Sequence, residues 1–268
     1  MGDTGGVPVE GAERRRVLAP AKLTLSLRVT GVRPDGYHLI DAEMVTVDLA
    51  DVLVFATGDA LEVVDAVSGG GVAGVPAGDD NLVRRALHAV RRRAHVRLEK
   101  RIPAGAGLGG GSADAAAVLR WAGLTGTSAG ELVVATRLGG DVPFCLVGGR
   151  ARVRGMGEEI EVLPFEARAF TLLMAPFGVS TAKVYGTWDG LRRRRGQAGT
   201  AEPGTNDLEA AALSVEPRLA IWRDRLGNAT GARPMLAGSG STWFVEGAFP
   251  GEDRIVVHTT PRPWGGDA

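Results

Sequence analysis

The sequence predicts an α+β chain in two halves. Three observations carry that reading. Runs that alternate apolar and polar residues open the chain, the period of half-buried strands. A glycine-rich loop over 101–111 then runs into an alanine-rich helix. A second set of strand-like and helix-like segments follows a boundary near Glu158–Arg168. With 268 residues and 44% hydrophobic content, the chain can bury one large core or two small ones.

Met1 to Arg16 holds Gly, Pro and charge without an apolar core, so it reads as a mobile tail and not a signal peptide. In Val17 to Thr30, Leu23, Leu25, Leu27 and Val29 alternate with polar residues, which predicts the first strand. Gly31 to Gly36 is a turn cluster. Glu43 to Phe55 alternates again, predicting strands around an Asp48–Asp51 turn, and Leu61 to Val64 a short strand. Ser68 to Gly78 reads as a loop. Asn81 to Arg93 carries Leu82, Ala86, Leu87 and Val90 at helical spacing, with Asp79, Asp80 or Asn81 as cap. His95 to Lys100 is a strand that leads into the glycine loop.

Beyond the loop, Ser112 to Trp121 predicts a helix capped by Ser112. Ser128 to Leu138 predicts another, with Ser128 and Glu131 as a capping box. Gly139 to Pro143 ends it. Phe144 to Val153 and Glu159 to Val162 read as strands, as does Phe170 to Ala175. Thr181 to Trp188 reads as a helix and Gly190 to Gly204 as a basic loop carrying Arg192–Arg195, a solvated face. Leu208 to Leu213 and Pro217 to Leu226 read as helical. Met235 to Val245 carries Gly238, Ser239, Gly240 and Ser241 between apolar flanks, and Arg254 to His258 is a last strand. The domains drawn from this are a tail over 1–16, an N-terminal domain over 17–160 and a C-terminal domain over 161–268.

The loop is the chemical signal. Gly105, Gly107, Gly109, Gly110 and Gly111 leave a backbone free to adopt positive φ and to approach a ligand. Bare N–H groups at the helix start, with the positive end of the helix dipole behind them, make a site for phosphates. No Gly-Lys-Ser/Thr ending is present, so this is not a Walker A loop. The dinucleotide fingerprint needs an acid about 20 residues on, and the 121–126 stretch offers none.

Composition narrows the rest. Lys+Arg 31 balances Asp+Glu 31, so no global field draws nucleic acid or anionic membrane. Arg192–Arg195 lacks interleaved aromatics, which argues against a nucleic-acid partner. The lone Cys145 forbids an internal disulfide and suits a reducing cytoplasm, the expected location. No apolar run approaches the ~20 residues of a membrane span. His88, His95 and His258 lack metal-ligand spacing, and no protein-bound metal is expected.

Several separated motifs occur together in one order. They are Ala19-Pro20-Ala21-Lys22, Arg33 through His38, Pro103 through Ser112, Gly140 through Phe144, Asn206-Asp207-Leu208, and Leu236 through Ser241. This set resembles the GHMP kinase superfamily. Within it the match narrows to the family of 4-diphosphocytidyl-2-C-methyl-D-erythritol kinases, over roughly Val17 to Val245. The resemblance implies a two-domain GHMP kinase fold, with the active site in the cleft between domains. It implies ATP-dependent phosphorylation of the substrate's 2-hydroxyl in the non-mevalonate isoprenoid pathway. The partner would be a small molecule with a cytidine diphosphate moiety, the nucleotide would bring Mg2+, and the chain would act as a monomer or weak homodimer.

The same resemblance implies roles. Lys22 and Asp141 match the catalytic pair. Pro103, Gly105, Gly107, Leu108, Gly109, Gly110, Gly111, Ser112 and Ala113 match the ATP phosphate loop, with Asn81 and Lys100 near the adenine. Tyr37 and His38 match the cytosine pocket, and Tyr185 a second aromatic against the base. Thr24, Thr181, Gly238, Ser239 and Gly240 fall at the acceptor. Three departures stand out. Thr24 replaces the usual Asn, the Arg192–Arg195 loop lacks the usual apolar character, and only Gly247 to Asp253 stands where a covering helix is usual. That shortening predicts an uncovered face on the second domain. A kinase of another small alcohol, homoserine or mevalonate-like, and a non-catalytic nucleotide-binding relative remain the alternatives.

Overall fold

The computed structural model describes residues 14–66, 75–195 and 205–262. Six strands form the first sheet: β1 (Arg15–Val32), β2 (His38–Ala56), β3 (Ala60–Asp65), β4 (His95–Lys100), β5 (Arg150–Gly155) and β6 (Glu159–Leu163). Their order is β3-β4-β2-β5-β6, with β1 paired antiparallel along the other side of β2. β4 and β5 share one edge of β2, each using part of its length. The hairpin between β1 and β2 closes with Arg33 N donating to Tyr37 O at 2.8 Å, and Gly36 takes the φ of +88° that the turn needs. Four helices pack on this sheet: α1 (Leu82–Ala89), α2 (Gly110–Trp121), α3 (Ala129–Leu138) and α4 (Val142–Val147). Ala115, Ala116 and Ala117 leave α2 slim enough for Ala113 to Arg120 to lie buried, in the core shared with Leu53 and Phe55.

The second sheet begins after a short connection. β7 (Ala169–Met174), β8 (Met235–Leu236), β9 (Thr242–Glu246) and β10 (Ile255–His258) take the order β10-β7-β9-β8. Between β7 and β8 run α5 (Thr181–Arg195), α6 (Glu209–Val215) and α7 (Leu219–Thr230). A second core joins the two sheets. Leu23, Val45 and Val47 meet Phe170, Leu172, Phe244 and Val257 there.

Five readings of the sequence change. β2 is one continuous strand. Its Asp48–Asp51 signal is a bulge: pairing steps from Pro20↔Ala50 to Lys22↔Thr46, so Val47, Asp48 and Leu49 oppose Ala21 alone. The released residues reach the second sheet, Val47 bridging to Thr259 and Asp48 Oδ1 accepting from His258 N at 2.9 Å. The apolar run from Val142 is a helix before it is a strand. Pro143 sits in the first turn, where its fixed φ suits a helix, and Gly148 ends it. A run this short cannot be assigned by periodicity alone. α5 continues through Gly190 to Arg195, because Val184, Trp188 and the half-buried Leu191 anchor one side of it. The rest of the expected basic loop, 196–204, lies outside the described residues, as do 1–13 of the expected tail and 67–74 of the expected loop. Arg15 and Arg16 belong to β1.

The fifth change concerns the second sheet, both faces of which are packed among the described residues. Leu173, Trp243 and Val245 pack against Leu219 and Leu226 of α7. The short 247–254 loop seats Phe249 in the same core, its N–H donating to Thr171 Oγ1 at 2.9 Å. α7 and one loop aromatic do what a further helix would do.

Candidate active site

The glycine loop leaves β4 and enters α2 through backbone that only glycine accepts easily. Gly105, Gly107 and Gly109 have φ of +69°, +77° and +70°. A Cβ on Gly107 would lie 2.1 Å from Ala237 O, and one on Gly109 would lie 2.7 Å from Lys22 Cγ. The first contact explains why the loop and the Gly238 segment must both be glycine-rich: two backbones pass in direct contact. Gly110 and Gly111 are helical instead, and left-handed Gly109 is the N-cap of α2 with no side-chain cap bond. Ser112 therefore does not cap the helix. It stands in the first turn and lines the cleft. An N-cap without a side-chain acceptor leaves the first N–H groups available to an anion.

The cleft has a volume of about 760 Å3. Gly105, Gly107, Gly109 and Ser112 form one wall with Gly238 and Ser239, and Lys22 and Asp141 form the floor. Lys22 Nζ lies 3.4 Å from Asp141 Oδ2, and donates to Thr24 Oγ1 at 3.1 Å. The Lys22 side chain is 5% exposed and that of Asp141 35%, so the carboxylate is the more open member of the pair. Three elements set this geometry. Lys22 N donates to Leu108 O at 3.0 Å, which ties β1 to the loop. Asp141 sits just ahead of α4. Asn206 Nδ2 donates to Leu236 O at 2.9 Å and Gly238 O at 2.6 Å, which holds the second glycine segment in place. Thr181 and Ser239 bond each other at 2.8 Å across it.

The opposite wall is aromatic. Tyr37 is 63% exposed beside the half-buried His38. The His38 ring lies 4.6 Å from that of Tyr185 and 5.8 Å from that of Trp188. Burial holds the Tyr185 hydroxyl well above the usual phenol range, with Asp141 adding in the same direction.

Not every predicted residue reaches the cleft. Lys100 ends β4 with its ammonium clasped by Asp51 and Asp114, all three buried. Asn81 caps α1, accepting from Val83 N at 2.8 Å and donating to Pro76 O at 2.6 Å. Thr24 acts through Lys22. Leu108, Gly110, Gly111, Ala113, Pro103 and Gly240 shape the loops behind the lining. Sequence reasoning missed Asp189, which bonds His38, and Asp51, which has no motif around it. Asp189 follows Tyr185 by one helical turn, a signal that the loop assigned from Gly190 obscured. Asn206 was recognised as part of a motif but given no role. Among the described residues no cluster of three or more His, Cys, Asp or Glu could hold a metal. No helix among them is long and apolar enough to cross a membrane.

A glycine loop opening a buried helix, a Lys–Asp floor and a cleft beside two joined sheets define a class: a small-molecule kinase of the GHMP type. Residues 81–149 match the family described as GHMP kinases N terminal domain. The 4-diphosphocytidyl-2-C-methyl-D-erythritol kinase of Pelotomaculum thermopropionicum is 41% identical over 254 residues, covering 85% of this chain and 87% of that protein. The enzyme of the same name from Paracoccus denitrificans is 37% identical, covering 93% and 94%. The chain belongs to the 4-diphosphocytidyl-2-C-methyl-D-erythritol kinase family. A crystal structure of a 4-(cytidine 5'-diphospho)-2C-methyl-D-erythritol kinase superposes with a TM-score of 0.67 at 30% identity, covering 92% of this chain and all of the other. A structure described as a putative homoserine kinase of Listeria monocytogenes, at 19% identity and a TM-score of 0.56, shares the fold alone.

Proposed function

We propose that the chain transfers the γ-phosphoryl group of ATP to the 2-hydroxyl of 4-diphosphocytidyl-2-C-methyl-D-erythritol. The observation that carries this is the Lys22–Asp141 pair, set at 3.4 Å between an uncapped helix start and an aromatic wall. Phosphoryl transfer asks for positioning and charge compensation more than for covalent chemistry. Asp141 accepts the proton of the acceptor hydroxyl and aims its oxygen. Lys22 faces that carboxylate at 3.4 Å and offsets negative charge on the moving group. The first N–H groups of α2 and the backbone of the glycine loop receive the phosphates. Tyr37, His38 and Tyr185 receive the cytosine by stacking and edge contact. Thr181, Gly238 and Ser239 border the acceptor.

Mg2+ fits only as an ion brought by the nucleotide, with Asp141 and Ser112 as nearby oxygen donors; it would neutralise phosphate charge. The aromatic wall favours this acceptor over homoserine or mevalonate, which present no ring to stack. The intact Lys–Asp pair favours an enzyme over a binding relative. We read the chain as two domains that meet near 160, as cytoplasmic, and as a monomer or weak homodimer.

Asp141→Asn tests the proposal. The variant should lose on the order of 10²–10⁴-fold in kcat, measured as ADP release with the cytidylylated acceptor, as a lost general base would. Calorimetry with a non-hydrolysable ATP analogue should show nucleotide binding retained. A kcat close to the parent's would remove Asp141 from the chemistry.

A further inference from the structure

His38 and Asp189 form a contact that none of the roles above uses. His38 begins β2 and Asp189 lies on α5, 151 residues apart in sequence, and His38 Nε2 stands 2.9 Å from Asp189 Oδ1. Both side chains are screened from solvent, at 13% and 30% exposure. Tyr185, one turn earlier on α5, and Trp188 pack against the imidazole at 4.6 Å and 5.8 Å. Three residues of one helix therefore fix the ring in place. Among the described residues Nε2 is the only ring nitrogen of His38 with a hydrogen-bond partner.

An ionised carboxylate only accepts. Asp189 therefore requires the hydrogen on Nε2, and a neutral ring then has Nδ1 free as an acceptor. An acceptor at that point matches an exocyclic amino group and opposes a carbonyl oxygen. Cytosine has the amino group at position 4 and uracil has a carbonyl there. An acceptor facing a carbonyl leaves both without a proton to share, and unpaired polar groups are what reject a wrong partner.

We propose that Asp189 is a positioning residue for base choice: by holding the His38 proton on Nε2, it makes the aromatic wall select an amino-bearing pyrimidine over uracil. This rests on the reading that the base of the acceptor sits against Tyr37, His38 and Tyr185. The contact of Asp189 is with His38 and not with Lys22, Asp141 or the glycine loop, so its effect falls on the acceptor side of the reaction.

The test compares the parent, Asp189→Ala, Asp189→Asn and His38→Ala. Binding of CDP and UDP is measured by calorimetry, and turnover with the cytidine and uridine forms of the acceptor by ADP release. The Asn amide can donate to Nε2, which permits the other tautomer. The parent should prefer the cytidine form, and the preference should fall about tenfold or more in each variant, as expected when a polar recognition contact is lost. The loss should appear in the acceptor KM and in CDP affinity, while the ATP KM stays near the parent's. Asp189→Ala combined with His38→Ala should lose no more discrimination than His38→Ala alone, since the two act as one unit. Unchanged discrimination in both Asp189 variants overturns the proposal. So does a parent that prefers the uridine form, because both ring nitrogens would then be donating. If CDP is discriminated from UDP through Asp189 but no cytidylylated acceptor turns over, the kinase reading fails and the base-choice role stands. Failure to bind either nucleotide overturns both.

Discussion

Beneath the phosphate loop, Lys100 is held by two buried carboxylates. Asp51 Oδ1 also accepts from Ile102 N at 2.8 Å and from Arg101 N, so one aspartate fixes both the lysine and the entrance to the loop. Two carboxylates then share one ammonium out of contact with water. Burial pushes the Asp114 carboxyl up to about 7; Asp51 adds to the rise and Lys100 opposes it. A carboxyl whose folded pKa exceeds its unfolded value binds its proton more tightly when folded. Its stabilising contribution is therefore complete at acid pH and is lost as pH climbs from about 4 to about 7. The slope cannot exceed about 1.4 kcal/mol per pH unit for one proton. Asp114→Asn removes that proton, so the melting temperature of the variant should fall less between pH 5 and pH 8 than the parent's. Parallel profiles for the two proteins would place the titration elsewhere.

At the scale of elements, legibility followed the strength of the local signal. The capping box at Ser128 and Glu131 reads directly from spacing, and both of its hydrogen bonds are present. The first strand and its turn read equally well from period and glycine. The readings that changed were those where tertiary contacts outweigh local preference. Gly190 looks like a helix breaker, yet a helical glycine costs only about 1 kcal/mol, and the buried Val184 and Trp188 outweigh that. Asp48 to Asp51 looks like a turn, yet long pairing on both sides converts it to a bulge. The glycine loop was legible because it needs a particular residue type, whereas Lys22 and Asp141, which stand 3.4 Å apart, were matched only through the resemblance. Asp189 and Asp51 were not, because an aspartate that meets its partner 151 or 49 residues away leaves no pattern in the chain.

The course of α5 through Gly190 can be checked directly. A Cβ at Gly190 would meet nothing within 4 Å, and the backbone there is helical. Gly190→Ala should therefore stabilise the protein by roughly 0.4–1 kcal/mol, the range for relieving a helical glycine without strain. Urea titration should move the midpoint upward with the slope unchanged. A destabilised variant would mean that the helix ends before Gly190.

For the whole molecule, the arrangement makes one chemical demand. The hairpin of β1 and β2 carries both Lys22 and His38, and the seam of Leu23, Val45 and Val47 fastens it to the second sheet. Phosphate loop, Lys–Asp floor and aromatic wall are thereby held on one frame, with the Gly238 segment clamped by Asn206. Such a frame can place one hydroxyl of a long acceptor against Asp141 while its base is held at the far wall. The 2-hydroxyl belongs to the carbon that bears the methyl branch, so a phosphate placed there has no hydrogen on its ester carbon. The direct measurement is the proton-coupled 31P spectrum of the products formed from ATP and 4-diphosphocytidyl-2-C-methyl-D-erythritol. The structure predicts ADP, an unbroken diphosphate in the acceptor, and a new phosphomonoester signal that is a singlet. A doublet or triplet would place the phosphoryl group on another hydroxyl, and inorganic phosphate without a new ester would mean that the cleft hydrolyses ATP and does not transfer to this acceptor.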